Sequence, residues 1–125
     1  MTRINVVPVE ELTREHLIAE YRELPRVYEL VRKRIAKGHK PTLKTPPRYT
    51  LGTGHVLFFY NKLGWVNERY ISLCNEMRRR KYTVNYGNVD ELCKGIPPEW
   101  FGTFIVDDEA LKINRDRIQE RLTKD

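Results

Sequence analysis

The feature that most constrains this chain is an apolar stripe from Leu17 to Ile35 with a proline in the middle of it. Leu17, Tyr21, Leu24, Tyr28, Val31 and Ile35 recur at alternating spacings of four and three, the rhythm of a helix that buries one side. Thr13 is placed to cap its start and Gly38 to stop it. A turn of about 100° per residue puts Ala19, Arg22, Glu23 and Arg26 opposite the stripe. Pro25 removes a backbone hydrogen bond and crowds the preceding turn, at a cost of ~3 kcal/mol inside a helix. The sequence therefore predicts a kink that turns the Arg22, Glu23 and Arg26 face toward a concave neighbour, although the same three residues also suit an ordinary solvated face.

Further along, Val66, Tyr70, Leu73 and Met77 predict a second helix ending in the basic run Arg78-Arg79-Arg80-Lys81, whose charge suits the negative end of the helix dipole and is also available to flanking duplex. Asp107 or Asp108 caps a last helix carrying Leu111, Ile118 and Leu122. Between them, prolines 41, 46 and 47 make residues 38–50 irregular, and Gly87, Gly95, Pro97 and Pro98 break residues 82–106. The run Val56-Leu57-Phe58-Phe59-Tyr60 suits a strand, a helical turn or an extended core segment. The expectation is a mainly α fold: one compact domain over residues 1–125, made of three helices joined by long irregular loops.

A length of 125 residues supports one core. The net charge of +6 is uneven, with 11 Lys/Arg against 6 Asp/Glu in residues 1–50, 7 against 5 in residues 51–100, and 5 against 6 thereafter. A positive N-terminal half points to a polyanionic partner, and a soluble basic enzyme fits as well. No apolar run approaches the ~20 residues that span a bilayer, and Met1-Thr2-Arg3-Ile4-Asn5 is not the start of a signal peptide, so a soluble intracellular protein is expected. Cys74 and Cys93 form no C-x-x-C pair, and His16, His39 and His55 are far apart, which argues against a metal centre or a disulfide scaffold. Gly52-x-Gly54 lacks the context of a phosphate-binding loop and reads as tight packing. An isolated histidine such as His55 reads first as a hydrogen-bonded core residue, while His16, two turns before Glu23, is also a site candidate.

Two segments carry a resemblance. Thr2-Arg3-Ile4-Asn5 followed by His16-Leu17-Ile18-Ala19-Glu20-Tyr21-Arg22-Glu23-Leu24-Pro25-Arg26-Val27, and Leu51-Gly52-Thr53-Gly54-His55-Val56-Leu57-Phe58-Phe59-Tyr60-Asn61-Lys62-Leu63, are similar to the viral pyrimidine-dimer DNA glycosylases, the phage endonuclease V family. The last helix aligns more loosely. The resemblance implies a bifunctional glycosylase and abasic-site lyase acting on cyclobutane pyrimidine dimers in duplex DNA, mainly helical, a monomer by default, and without metal or cofactor. It implies that Thr2, once Met1 is removed, supplies its α-amine as nucleophile and that Glu23 is the acid/base. Arg22 and Arg26, counted with these two as catalytic, lie a helical turn apart, a spacing suited to neighbouring phosphates, and their charge would hold Glu23 ionised; mutual support with Glu20 and Glu23 is the alternative. Arg3 is implied to contact phosphate or orient the damaged strand. Lys33, Arg117 and Arg121 are looser DNA-binding carry-overs, and His16 is a further candidate.

The chemistry suits those residues. A terminal amine has a pKa of about 7.8 against about 10.4 for lysine, so roughly a tenth is unprotonated at pH 7. Attack at C1′ of the 5′ pyrimidine's sugar displaces the base and gives an imine, and a carboxylate beside it can take the C2′ proton for β-elimination. A dimer weakens stacking, so kinking the duplex and extruding a base cost less there. The sequence departs from the phage prototype at its end, Lys124-Asp125, which lacks an aromatic tail that bears on lesion selectivity and binding strength. A non-catalytic basic DNA-binding module, an abasic-site lyase, and a glycosylase for other base lesions are the competing expectations.

Overall fold

A computed structural model describes residues 3–85 and 88–123. Among them lie the helices α1 (Arg14–Glu23), α2 (Arg26–Ala36), α3 (Leu63–Arg79), α4 (Val89–Cys93) and α5 (Asp108–Thr123), with short 3-10 turns at Val9–Glu11, Leu57–Phe59 and Pro98–Trp100. No strand forms among the described residues, and the mainly α expectation holds. The only ladder contact described is an isolated bridge between Lys62 and Phe101.

The predicted first helix is two. Thr13 caps α1 by accepting the N–H of His16, and the backbone stays right-handed helical through Leu24 and Pro25 into α2. There the bonds tighten to Val27 N–H on the Leu24 carbonyl at 3.0 Å and Tyr28 N–H on the Pro25 carbonyl at 3.3 Å. Pro25 thus stands at the head of α2, where an N–H would have no partner within that helix, and much of the interior-proline cost is avoided. The stripe stays continuous across the break, with Leu17, Tyr21, Leu24, Tyr28 and Val31 buried and Ile35 packed against them. Gly38 follows α2 with φ +87°, the left-handed stop expected of it.

Helix α3 lies against α1, the Val9–Glu11 turn and α4. It buries Leu63, Val66, Tyr70, Leu73 and Met77, as its periodicity requires. The ambiguous run at 56–60 forms the 3-10 turn Leu57–Phe59. It joins Tyr49, His55, Phe58, Phe59, Trp65 and Phe104 in a set of largely edge-on ring contacts. Helix α4, which the sequence did not announce, is capped by Asn88, and Arg32 donates to the Leu92 and Lys94 carbonyls at its far end. In the basic run that closes α3, Arg79 and Arg80 bind Glu76, and Arg80 also reaches the Leu12 carbonyl at 2.9 Å. Their hydrogen bonds hold the Glu76 carboxyl at about 2. Arg80, largely buried, is therefore engaged in the fold, while Arg79 stays mostly exposed beside Glu76.

Residues 4–7 form no helix, yet their backbone is buried. The polar groups of such a segment need partners, and side chains from distant elements supply them. Ile4 N–H donates to His55 Nε2 at 2.8 Å, and the Tyr49 hydroxyl donates to the Ile4 carbonyl at 3.0 Å. Asn114 of α5 accepts Val6 N–H and Val7 N–H at 2.7 and 3.1 Å, and Arg69 of α3 donates to the Val7 carbonyl. The Asn5 side chain bridges Glu20 of α1 and Asn114, each at 2.8 Å, and Arg69 closes the ring with a two-point pair on Glu20 at 2.8 and 3.0 Å.

Candidate active site

Two faces of α1 open onto two different cavities. His16, Ala19, Glu20 and Glu23, spaced i, i+3, i+4 and i+7, line one of about 340 Å³. Arg14, Ile18, Tyr21 and Arg22 line another of about 350 Å³ with Met77 and Tyr82. The sequence grouped Arg22 and Glu23 as one face; the helix instead sends Glu23 into the first cavity and Arg22, exposed, toward the second. Arg26, one turn beyond the break at Pro25, is exposed and lines neither.

The first cavity is completed by Arg3 and Asn5 from the N-terminal segment and by Ile118 and Arg121 from α5. Four expected site residues, Arg3, His16, Glu23 and Arg121, therefore meet around one space. Arg117 shares the inward face of α5 with Asn114, Ile118 and Arg121, and its charge, like that of Arg121, acts on Arg3. Burial first, then these two arginines, lower the Arg3 pKa, while Tyr49 and Glu23 oppose the shift. Arg3 and Arg121 line the cavity beside Glu20 and Glu23, and the charge of Arg117 adds to theirs, a field that draws an anion to the cavity mouth. Lys33 is exposed on α2 and is not part of this cavity. Thr2, the expected nucleophile, lies outside the described residues.

His16 is half-buried, and its Nδ1 is 3.1 Å from the Thr13 hydroxyl. Burial, then Arg3 and Arg121, lower its pKa, so it enters the neutral range as uncharged imidazole. His55 is a buried core residue, as its apolar neighbours suggested, with both ring nitrogens engaged. Gly54 stands just before His55 at φ +91°, and a Cβ there would meet Pro46 at 3.0 Å, a tight packing that Gly52, with nothing within 4 Å, does not share.

Asn5, Glu20 and Ile118 were not singled out as site residues. Glu20 was visible in principle, because it stands four residues after His16 and three before Glu23. Asn5 carries no periodic signal, since its partners Glu20 and Asn114 lie 15 and 109 residues away. Among the described residues no three His, Cys, Asp or Glu side chains come together as a metal site. No helix among them is long and apolar enough to cross a membrane.

A helical scaffold that gathers arginines around a pocket carboxylate belongs with proteins that act on a polyanionic substrate. The family comparison makes the class specific: residues 1–88 match the family described as pyrimidine dimer DNA glycosylase. That span covers well over half of the 125 residues, and the chain belongs to the pyrimidine dimer DNA glycosylase family, whose role is that of a DNA-repair glycosylase. The match takes in the N-terminal segment, α1, α2 and α3 and stops before α4 and α5. Helix α5 nonetheless contributes Ile118 and Arg121 to the same cavity.

Proposed function

We propose that this chain acts on cyclobutane pyrimidine dimers in duplex DNA as a bifunctional glycosylase and abasic-site lyase, a one-domain monomer working on DNA inside the cell. The observation that carries the reading is Glu23 in a cavity that also holds Arg3, the residue next to Thr2. After removal of Met1, the Thr2 amine attacks C1′ of the sugar bearing the 5′ pyrimidine. The glycosidic bond breaks, its electron pair leaves with the base, and loss of a proton from nitrogen gives the imine as the sugar ring opens. Glu23 takes a proton from C2′, the C3′–O bond breaks, and the 3′ phosphate departs. Water then releases the sugar fragment and restores the amine.

The arginines divide the remaining work. Arg3 and Arg121 line the cavity, Arg117 adds its charge to theirs, and the three suit the phosphates flanking the reacting sugar. Arg22, Arg26 and Lys33 are exposed along α1 and α2 and suit phosphates further along the duplex.

Incubation with dimer-containing duplex and borohydride is expected to trap a covalent adduct on the Met1-processed protein, located by mass spectrometry to Thr2. Absence of an adduct, or an adduct on a lysine, overturns the amine's role. Glu23→Gln keeps the shape and loses the base, so nicking is expected to fall by roughly 10²- to 10⁴-fold with DNA affinity largely retained. Unchanged nicking removes Glu23 from the mechanism.

A further inference from the structure

The site described above leaves one buried histidine without a part in the chemistry. His55 accepts Ile4 N–H on Nε2 at 2.8 Å and faces the Thr50 carbonyl with Nδ1 at 2.7 Å. An amide N–H can only donate and a carbonyl can only accept, so the partners fix the ring as the neutral tautomer with its proton on Nδ1. The Tyr49 hydroxyl takes the Ile4 carbonyl at 3.0 Å, and the Tyr49 and Phe59 rings meet His55 edge-on at 5.4 and 5.9 Å. Both backbone groups of one residue are thus held by ring side chains from a loop some 50 positions away, and the Ile4 side chain is fully buried. This fixes how far along its own axis the N-terminal segment sits.

We infer that His55, with Tyr49, is a positioning residue for the N-terminal amine. The inference rests on the proposed amine chemistry. Two residues of extended chain reach at most ~7 Å, so covalent geometry ties the Thr2 nitrogen to the position of the anchored Ile4 N–H, and a shift of Ile4 carries it along. Arg3, between the two, already lines the cavity that holds Glu23. Attack on C1′ needs a closely defined approach, and a displacement of ~1 Å can cost ~100-fold in rate. Of the arginines assigned to DNA only Arg3 adjoins the anchored Ile4, so most of the DNA affinity does not pass through His55.

Borohydride trapping on duplex carrying a preformed abasic site, under single-turnover conditions with saturating protein, isolates imine formation from base recognition. His55→Leu removes the acceptor for Ile4 N–H. Its trapping rate is expected to fall at least about 10-fold with Kd for DNA within about twofold of the parent. His55→Gln places an amide oxygen where Nε2 stood and is expected to recover most of that loss. Trapping by His55→Leu at the parental rate overturns the inference, as does a loss of rate and affinity together that Gln does not repair. No adduct with the parent protein overturns the amine chemistry itself, a separate result.

Should His55→Leu fail to fold by circular dichroism, Tyr49→Phe removes only the hydroxyl on the Ile4 carbonyl. It is expected to slow trapping by about threefold or more, and an unchanged rate overturns the inference. Nitrogen NMR of the parent protein is expected to show His55 protonated on Nδ1 and bare on Nε2. The opposite tautomer overturns it too.

Discussion

Asn114 gives the sharpest test at the scale of a single residue. Its carbonyl oxygen serves two buried N–H groups, those of Val6 and Val7, and its amide nitrogen serves Asn5. Asn114→Ala strands both donors, and with ~1–3 kcal/mol for each unsatisfied buried group the expected loss is ~2–6 kcal/mol, read as a lower denaturation midpoint in urea. A change below ~1 kcal/mol would mean that water or relaxation replaces the side chain. His55 adds a pH dependence. Burial, then Arg3 and Arg117, lower its pKa below the ordinary 6.5, against the Thr50 carbonyl and Glu20, which raise it. The unfolded chain then binds the extra proton first, so stability from this residue is complete above about pH 6.5 and is lost as pH falls through the lowered folded value. Thermal melts from pH 7.5 to 5 should show a decline that is smaller in His55→Gln. A parental melting temperature that is flat over that range, or a variant that declines as steeply, contradicts the assignment.

At the scale of elements, the helices were legible because each one buries a face, and burial writes a period into the sequence. The stripe from Leu17 to Ile35 and the Val66–Met77 series both lie in the core as their spacing requires. What the spacing did not disclose is that Pro25 ends one helix and opens another, which places Glu23 on the last turn of α1. Pro25→Ala is therefore expected to leave the melting temperature unchanged or slightly higher, because the interior-proline cost is largely absent. It should lower nicking by joining α1 to α2 and rotating Glu23 away; an unchanged nicking rate would show that the break does not position Glu23. Helix α4 was not legible, since five residues held by a cap and by Arg32 bury too little to set a rhythm. The start of α3 is constrained differently: a Cβ at Gly64 would stand 2.8 Å from the Phe101 carbonyl oxygen and 2.9 Å from that of Gly102. Gly64→Ala should cost about 1–3 kcal/mol by chemical denaturation, and a neutral result would mean that this crossing is loose.

At the scale of the whole molecule, the cavity is a joint product of the chain's beginning and its end. Glu23 could be singled out from motif and charge, but its surroundings could not be read locally, because the contacts that build them join residues as far apart as Val6 and Asn114. Removing residues 108–125 should therefore destabilise a chain whose family match ends at residue 88, and such a truncation that melts like the parent would assign α5 a peripheral role. The +6 charge and the exposed arginines predict DNA binding that weakens steeply with salt, with a smaller slope in Arg26→Ala than in the parent, measured by titration at several ionic strengths. The side-chain hold on residues 4–7 also bears on the order in which the molecule comes into being. Val6 leaves the ribosome 108 residues ahead of its partner Asn114 on α5, and closing so long a loop carries an entropic cost that no local contact offsets. On a ribosome the N-terminal segment therefore gains its α5 partner late, and a chain ended before α5 leaves the Val6 and Val7 N–H groups without the Asn114 acceptor.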